Sequence, residues 1–206
     1  MNQLIDLRRY TDSRGTPTLV FVDMQQEYIA APRGLALPKA VDALVKCRIA
    51  LDYARNVGLP VAFVRWVGRS PFFNPATPFS RWIEGFGPLS TDMVFERGQP
   101  SCYASPQFTE VMNNAGGYFV LAGFAGEVAC LSTAVDAFHR GHRMTFLSDA
   151  SASHALGDVS AHDAHQTVSK LVTLYADVIE TETWVATASL RPNRGGYDGS
   201  WITRPI

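Results

Sequence analysis

Five short apolar runs along the chain have the length and composition of buried β-strands. They are brief, rich in valine, leucine and phenylalanine, and lie close to glycine or proline. A short run that is apolar on both faces is typical of a strand covered on both sides. These runs span residues 16–24, 61–66, 93–96, 117–123 and 143–150, and residues 176–186 predict a sixth strand followed by a short helix.

Segments with helical periodicity separate these runs. In residues 37–56, Pro38 suits the first turn of a helix, and Gly58 and Pro60 end the element. The apolar positions that fall at helical spacing there are Val41, Leu44, Val45 and Ile49. Further helices are predicted over residues 105–116, 127–141 and 162–175.

The alternation of strands and helices predicts a doubly wound α/β domain. Its sheet is expected to be mainly parallel, with about six strands and helices on both faces. We find no repeat and no convincing boundary, so residues 1–206 are interpreted as one domain. Ligands of such sheets bind beyond the carboxyl ends of the strands. The residues just after the predicted strands are Asp23, Trp66, Arg97, residues 124–129 and Asp149.

Composition and charge restrict the classes of partner. The net charge is -1, and the 18 basic residues are scattered instead of forming a basic face, so we expect neither nucleic acid nor an acidic membrane as partner. The first residues resemble no signal peptide, and no apolar run approaches a membrane span. Three widely spaced cysteines indicate free thiols and a cytoplasmic protein.

Three motifs carry a resemblance to a known family. They are LVFVDMQ, which contains Asp23, then ERGQPSCYASPQF, and then LAGFAGEVACLSTAVDAFHRGHRMTFLSDASAS. In this order, over about residues 16–180, they resemble the isochorismatase-like (cysteine hydrolase) superfamily. The resemblance implies a Rossmann-like hydrolase fold, a small-molecule substrate, no cofactor, and a homo-oligomer such as a dimer or tetramer.

The resemblance also implies a catalytic set of aspartate, lysine and cysteine. Asp23 matches the aspartate, Arg97 stands at the lysine position, and Ala129 stands at the position of the nucleophilic cysteine. Cys130 lies one residue further, about 100° around a helix. Arginine keeps the positive charge but is a poor proton shuttle. The alternative for Arg97 is a surface ion pair with Glu96 or another acid.

The family's loop before the third-motif helix implies further site residues. A non-proline cis peptide is expected at Phe124–Ala125, and the amides of Ala125 and Ala129 are expected to line an oxyanion pocket. Aromatic residues around the irregular segment 67–92 are candidates for an apolar wall, although core packing explains each of them equally well. They are Trp66, Phe72, Phe73, Trp82, Phe86 and Tyr103.

Histidine and cysteine spacing predicts no metal site. His162 and His165 are three residues apart, but no carboxylate accompanies them at suitable spacing, which favours a solvated helix face. The remaining histidines, His139, His142 and His154, show no ligand pattern either.

Three explanations of Ala129 stay open. The chain belongs to a branch that uses water and cleaves vinyl ethers, or the helix start is shifted so that Cys130 enters the site, or Ala129 replaces a natural cysteine. The leading hypothesis is a hydrolase of a small polar metabolite, with Asp23 as general acid/base and Arg97 holding an anionic group. The alternatives are a thiol-dependent amidase or imidase using Cys130 and a non-catalytic binder of a small ligand.

Overall fold

The computed structural model describes residues 16–69 and 71–189. The segment for which no signal peptide was predicted, residues 1–15, lies outside that range. A single sheet of six strands crosses the described residues, and every neighbouring pair of strands is parallel. The strands are β1 (Thr18–Val22), β2 (Val61–Trp66), β3 (Met93–Arg97), β4 (Tyr118–Gly123), β5 (Arg143–Ser151) and β6 (Asp177–Ile179).

Helices cover both faces of the sheet. They are α1 (Ala40–Asn56), α2 (Pro106–Asn114), α3 (Leu131–His139), α4 (Ala161–Val172) and α5 (Thr181–Ser189). Residues of α1 and α5 pack in one core cluster, and residues of α2, α3 and α4 pack in a second. The predicted doubly wound α/β fold is therefore confirmed. Among the described residues, no helix is both long and apolar enough to cross a bilayer.

Strand β1 shows why the sheet needs a layer of helices on each face. Leu19 and Phe21 belong to the first core cluster, whereas Val20 and Val22 belong to the second. Successive side chains of a strand point to opposite faces, so a strand that is apolar at every position is stable only between two layers. Full burial of each such side chain contributes about 1.5–3 kcal/mol.

Helix α1 presents a different face to the sheet from the one its large apolar residues indicated. Val41 is 70% exposed and Val45 is 57% exposed. The buried face consists mainly of small side chains: Ala40, Ala43, Cys47, Ala50, Leu51 and Ala54. The helix begins at Ala40, so Pro38 precedes it and does not occupy its first turn. Small residues let the helix backbone lie close to the sheet, and the valines remain on the outside.

The helix predicted over residues 127–141 begins with a widened turn. Residues Gly126–Cys130 form a π-helical turn, and α3 follows it. The carbonyl oxygen of Ala125 lies 3.2, 2.9 and 3.2 Å from the amide nitrogens of Val128, Ala129 and Cys130. Single π turns are frequent at functional sites. The widened turn therefore lies at the carboxyl edge of the sheet, between β4 and α3.

The strand order is β3-β2-β1-β4-β5-β6, so the topological switch point, where the order of the strands reverses, lies between β1 and β4. Asp23 follows β1, and the Phe124–Ala125 peptide follows β4, so both lie at this switch. Gly123 closes β4 with a φ of +111°, and a Cβ atom there would lie 2.1 Å from the carbonyl oxygen of Val22. The two strands therefore meet at this edge only because residue 123 is glycine.

We predict that Gly123→Ala lowers the free energy of unfolding by about 3 kcal/mol or more, because both the backbone angle and the contact with Val22 are incompatible with a Cβ atom. The matched control is Gly58→Ala, at φ +72° with no atom within 4 Å of the added Cβ. Its expected cost is only about 1–2 kcal/mol. Urea denaturation of both variants measures the difference, and equal losses would contradict the prediction.

Candidate active site

Asp23 is fully buried in the turn that follows β1. Its φ is 50°, a left-handed conformation that aspartate tolerates better than most residues. Its amide nitrogen donates to the carbonyl oxygen of Val64 at 2.8 Å, which ties the turn to β2. The turn therefore directs the carboxylate across the carboxyl edge of β2, towards β3.

Arg97, at the end of β3, meets this carboxylate. Its Nη2 atom donates to Asp23 Oδ2 at 2.5 Å, and neither side chain has any exposed surface. The guanidinium lies over the ring of Trp66, 4.7 Å from the ring centroid, and its Nη1 atom donates to the carbonyl oxygen of Gln99. Burial raises the pKa of Asp23 to about 6, although Arg97 and hydrogen bonds to the carboxylate act in the opposite direction.

The expected surface ion pair of Arg97 is corrected in its place and its partner. The residue is buried and pairs with Asp23, whereas Glu96 Oε1 accepts from Arg65 Nε at 3.0 Å. The terminal nitrogens of Arg97 donate to Asp23 and to the Gln99 carbonyl oxygen, and its role in holding an anionic group stays a prediction. Sequence alone does not reveal this pair, because the two residues lie 74 positions apart.

Ala129 and Cys130 are both completely buried, at the start of the third-motif helix. The Cys130 Sγ atom lies 3.7 Å from the carbonyl oxygen of Gly123 and 3.6 Å from Ser151 Oγ, among residues of the second core cluster. Burial raises the pKa of this thiol. These contacts describe a core thiol, even though the helix does begin with a shifted turn.

The peptide bond between Phe124 and Ala125 is cis, which confirms the expectation from the motif. The amide nitrogen of Phe124 donates to the carbonyl oxygen of Val22 at 2.9 Å. Within the described residues, the Ala125 N–H donates to no backbone carbonyl of the turns and loops. The Ala129 N–H instead donates to the Ala125 carbonyl at 2.9 Å. Its expected place in an oxyanion pocket is therefore corrected.

A row of aromatic rings runs beside the Asp23–Arg97 pair. Trp66 stacks on Phe73 with 5.8 Å between centroids, Phe73 lies 5.4 Å from Tyr28, and Tyr28 lies 5.7 Å from Phe124. Burial and the charge of Asp23 raise the pKa of the Tyr28 hydroxyl. Tyr28 was not among the sequence candidates, because a tyrosine in the short segment after β1 carries no distinctive pattern.

The other aromatic candidates pack in or against the two core clusters. Trp82 packs edge-on against the core residue Phe63, with centroids 5.6 Å apart. Tyr103 belongs to the second core cluster, and its hydroxyl lies 2.7 Å from His142 Nδ1. The structure therefore shows Tyr103 packed in the core, and its contact with substrate stays a prediction. Phe86 packs against Phe21 in the first core cluster, 6.1 Å between centroids.

Gln25 anchors the irregular segment to the site. Its side-chain oxygen accepts from the Trp66 amide at 2.9 Å, and its side-chain nitrogen donates to the carbonyl oxygens of Trp66 and Ser80, both at 3.0 Å. The residue is completely buried. A glutamine two positions after a strand-end acid is a sequence signal that we did not use.

Glu127 and His154 form a second ionic pair near the cis peptide. His154 Nδ1 lies 2.6 Å from Glu127 Oε1, and His154 Nε2 lies 3.1 Å from the carbonyl oxygen of Leu35. Both neighbours are acceptors, so only a protonated ring satisfies both contacts. The hydrogen bond to Glu127 raises the pKa of His154. Burial acts to raise the pKa of Glu127, but the bond from His154 and smaller contributions outweigh it and lower that pKa.

The remaining histidines have separate surroundings. His165 is not part of a solvated face, because its Nε2 atom lies 2.8 Å from the Ser148 carbonyl oxygen and its Nδ1 atom 3.0 Å from Ser153 Oγ. His162 is exposed and contacts Gln166. Across residues 16–69 and 71–189, no three histidine, cysteine or acidic side chains are arranged to hold a metal ion.

The site and the fold together define a class of protein. A buried acid after β1, a buried arginine at the end of β3 and a cis peptide after β4 lie at the carboxyl edge of a doubly wound α/β sheet. The family model described as the isochorismatase domain matches residues 17–183. The chain therefore belongs to the isochorismatase family. No curated protein matches it significantly.

Solved structures agree with this assignment. An isochorismatase from Pseudomonas putida KT2440 is 28% identical, with a TM-score of 0.75 over 82% of this chain and 89% of that chain. A cysteine hydrolase from Pseudomonas syringae pv. phaseolicola 1448A is 20% identical, with a TM-score of 0.77 over 84% and 92%. An N-carbamoylsarcosine amidase from Thermoplasma acidophilum is 24% identical, with a TM-score of 0.65 over 81% and 97%. The last two show the shared fold alone.

We predict that Arg97→Met raises the pKa of Asp23 further above its present value of about 6, because the variant loses the opposite charge that favours the carboxylate. Arg97→Lys keeps a cation at this position and is expected to leave the pKa closer to 6. The pH titration of the Asp23 carboxyl carbon by NMR measures both values. An unchanged pKa in a folded Arg97→Met variant would show that the pair does not control this carboxyl group.

Proposed function

We propose that the protein hydrolyses a small enol (vinyl) ether without a thiol nucleophile, with Asp23 as the general acid. The observation that carries the proposal is the start of the third-motif helix. The position at which the family's motif has cysteine is Ala129, and the neighbouring Cys130 thiol packs in the core with a raised pKa. A reaction that begins with proton transfer needs no covalent partner at this place.

The Asp23 carboxyl group suits proton donation in two respects. Its pKa of about 6 leaves a usable fraction protonated near neutral pH. Its Oδ2 atom accepts from Arg97, whereas Oδ1 is buried without a hydrogen-bond partner among the described residues. The proton therefore resides on Oδ1, the oxygen left for the substrate, and Arg97 holds the carboxyl group in a fixed orientation.

In the proposed reaction, Asp23 Oδ1 transfers its proton to the terminal carbon of the substrate's C=C bond, and a new C–H bond forms. Water then adds through its oxygen to the ether carbon, and the water proton returns to Asp23. The resulting hemiketal loses the alcohol as its C–O bond breaks, leaving a ketone. The Ala125 N–H lies in the cis-peptide loop, where it can bond to the oxygen that becomes the carbonyl.

The first test compares two variants on a panel of small enol ethers, amides and imides. We expect Asp23→Asn to lose about 100-fold or more in kcat, because it removes the proton donor at nearly constant shape. We expect Cys130→Ala to retain enol-ether hydrolysis within about threefold, after correction for the folded fraction measured by thermal melting. Selective loss of activity in Cys130→Ala, or turnover of amides alone, would instead establish a thiol mechanism.

The pH dependence supplies a second test. If protonated Asp23 is the reactive form, kcat/KM is high below its pKa and falls as pH rises through about 6. A rate that rises through pH 6 would assign Asp23 the role of general base and overturn the acid mechanism. A pH-rate profile from 4.5 to 8.5, limited to the range in which the protein stays folded, distinguishes the two slopes.

A further inference from the structure

Glu127 is a second carboxylate near the proposed reaction site, and the acid chemistry does not use it. It lies in the π-helical turn between the cis peptide and Ala129. Its Oε1 atom accepts from His154, but its Oε2 atom is buried and has no hydrogen-bond partner among the described residues. The neighbouring Ser153 hydroxyl lies 3.0 Å from His165 Nδ1.

An unpartnered, buried carboxylate oxygen is costly. Leaving a buried acceptor without a donor costs about 1–3 kcal/mol of stability, and more when the acceptor is charged. Glu127 is charged, because the hydrogen bond from His154 stabilises the anion. A ligand that donates a hydrogen bond would satisfy this oxygen and remove the cost.

A row of ring contacts connects the Glu127–His154 pair with the Asp23–Arg97 pair. The Tyr28 ring contacts His154, the partner of Glu127, with 6.2 Å between centroids, and it contacts Phe124 of the cis peptide at 5.7 Å. Tyr28 also contacts Phe73, which stacks on Trp66, the ring over which Arg97 lies. Tyr28 is therefore linked with both ionic pairs through a continuous row of side-chain contacts.

The charges at this place determine which ligand fits. The charge of Glu127 is paired with that of His154, and the Glu127 Oε2 atom is an acceptor without a partner among the described residues. A carboxylate anion offers this oxygen no hydrogen-bond donor, whereas a neutral molecule with a hydroxyl or N–H group does. The surroundings of Glu127 are thus complementary to a neutral group that donates a hydrogen bond.

We propose that Glu127 determines specificity by accepting a hydrogen bond, through Oε2, from a hydroxyl or N–H group of a neutral substrate. His154 is the positioning residue that fixes the carboxylate, through Oε1, while its own Nε2 bonds to Leu35. This inference rests on the proposed function only in placing the substrate beside Asp23. The sequence analysis predicted a substrate with an anionic group. The inference instead predicts a neutral substrate whose donor group contacts Glu127.

The test uses acetamide and acetate as probes, because they are nearly equal in size and differ in charge and in donor capacity. Binding is followed by NMR through the methyl groups of Ala125 and Ala129, which report on this site. In the wild-type protein we expect acetamide to bind at least about tenfold more tightly than acetate. Acetate binding equally or better, or an absence of methyl shifts with acetamide, would overturn the proposal without any variant.

Glu127→Gln then exchanges the acceptor for a donor at constant shape. The side-chain oxygen can still accept from His154, whereas an NH₂ group replaces Oε2, so the preference for acetamide should disappear or reverse. Glu182→Gln is the matched control, because that glutamate is exposed and pairs with Lys46. An unchanged preference in a folded Glu127→Gln variant would also overturn the proposal.

The binding measurements can fail independently of the enol-ether assay, so they distinguish this inference from the proposed function. Asp23→Asn removes the proton donor but leaves Glu127 in place, and we expect it to keep a preference for acetamide. If that variant and the wild type both prefer acetamide while the wild type hydrolyses no enol ether, the donor site stands and the proposed reaction fails. If enol ethers are hydrolysed but acetate binds better, the reaction stands and the role of Glu127 fails.

Discussion

The contact between Asp23 and Arg97 is the interaction on which the candidate site depends. Both side chains are withdrawn from water, where a charge without a nearby partner is strongly unfavourable. Because β1 and β3 are separated by β2, the pair forms only when all three strands are in register. Trp66, at the end of the intervening strand, covers the guanidinium. The pair therefore links the order of the sheet directly to the chemistry at its edge.

The start of the third-motif helix limits what this chemistry can be. The family fold brings a helix start to the carboxyl end of β4, where a thiol is well placed for nucleophilic attack. In this chain Ala129 stands at the position of that thiol, and the Cys130 side chain lies against Gly123 and Ser151 in the core. The reaction we propose for this arrangement is therefore acid catalysis by Asp23, which needs no thiol.

The two buried carboxylates near Tyr28 differ because their surroundings differ. Asp23 has one bonded oxygen and a raised pKa, since burial outweighs the attraction of Arg97. Glu127 has a lowered pKa, since the hydrogen bond from His154 and smaller contributions together outweigh its partial burial. We propose that these two acids, with pKa values shifted in opposite directions, divide proton transfer and substrate recognition between them.

The sequence by itself determined the parallel sheet and the place of Asp23, because strands that are apolar on both faces require two helical layers and an acid at a strand end is a local signal. The motifs extended this to the cis peptide after β4. Only the tertiary structure decided that α1 turns its alanines inward, since small side chains permit a close approach that valine does not. It also decided that Arg97 pairs with Asp23, that Tyr103 packs in the second core cluster beside His142, and that His154 bonds to Glu127. These contacts join residues far apart in the chain, and their geometry depends on strand order and loop conformation, which no local pattern contains.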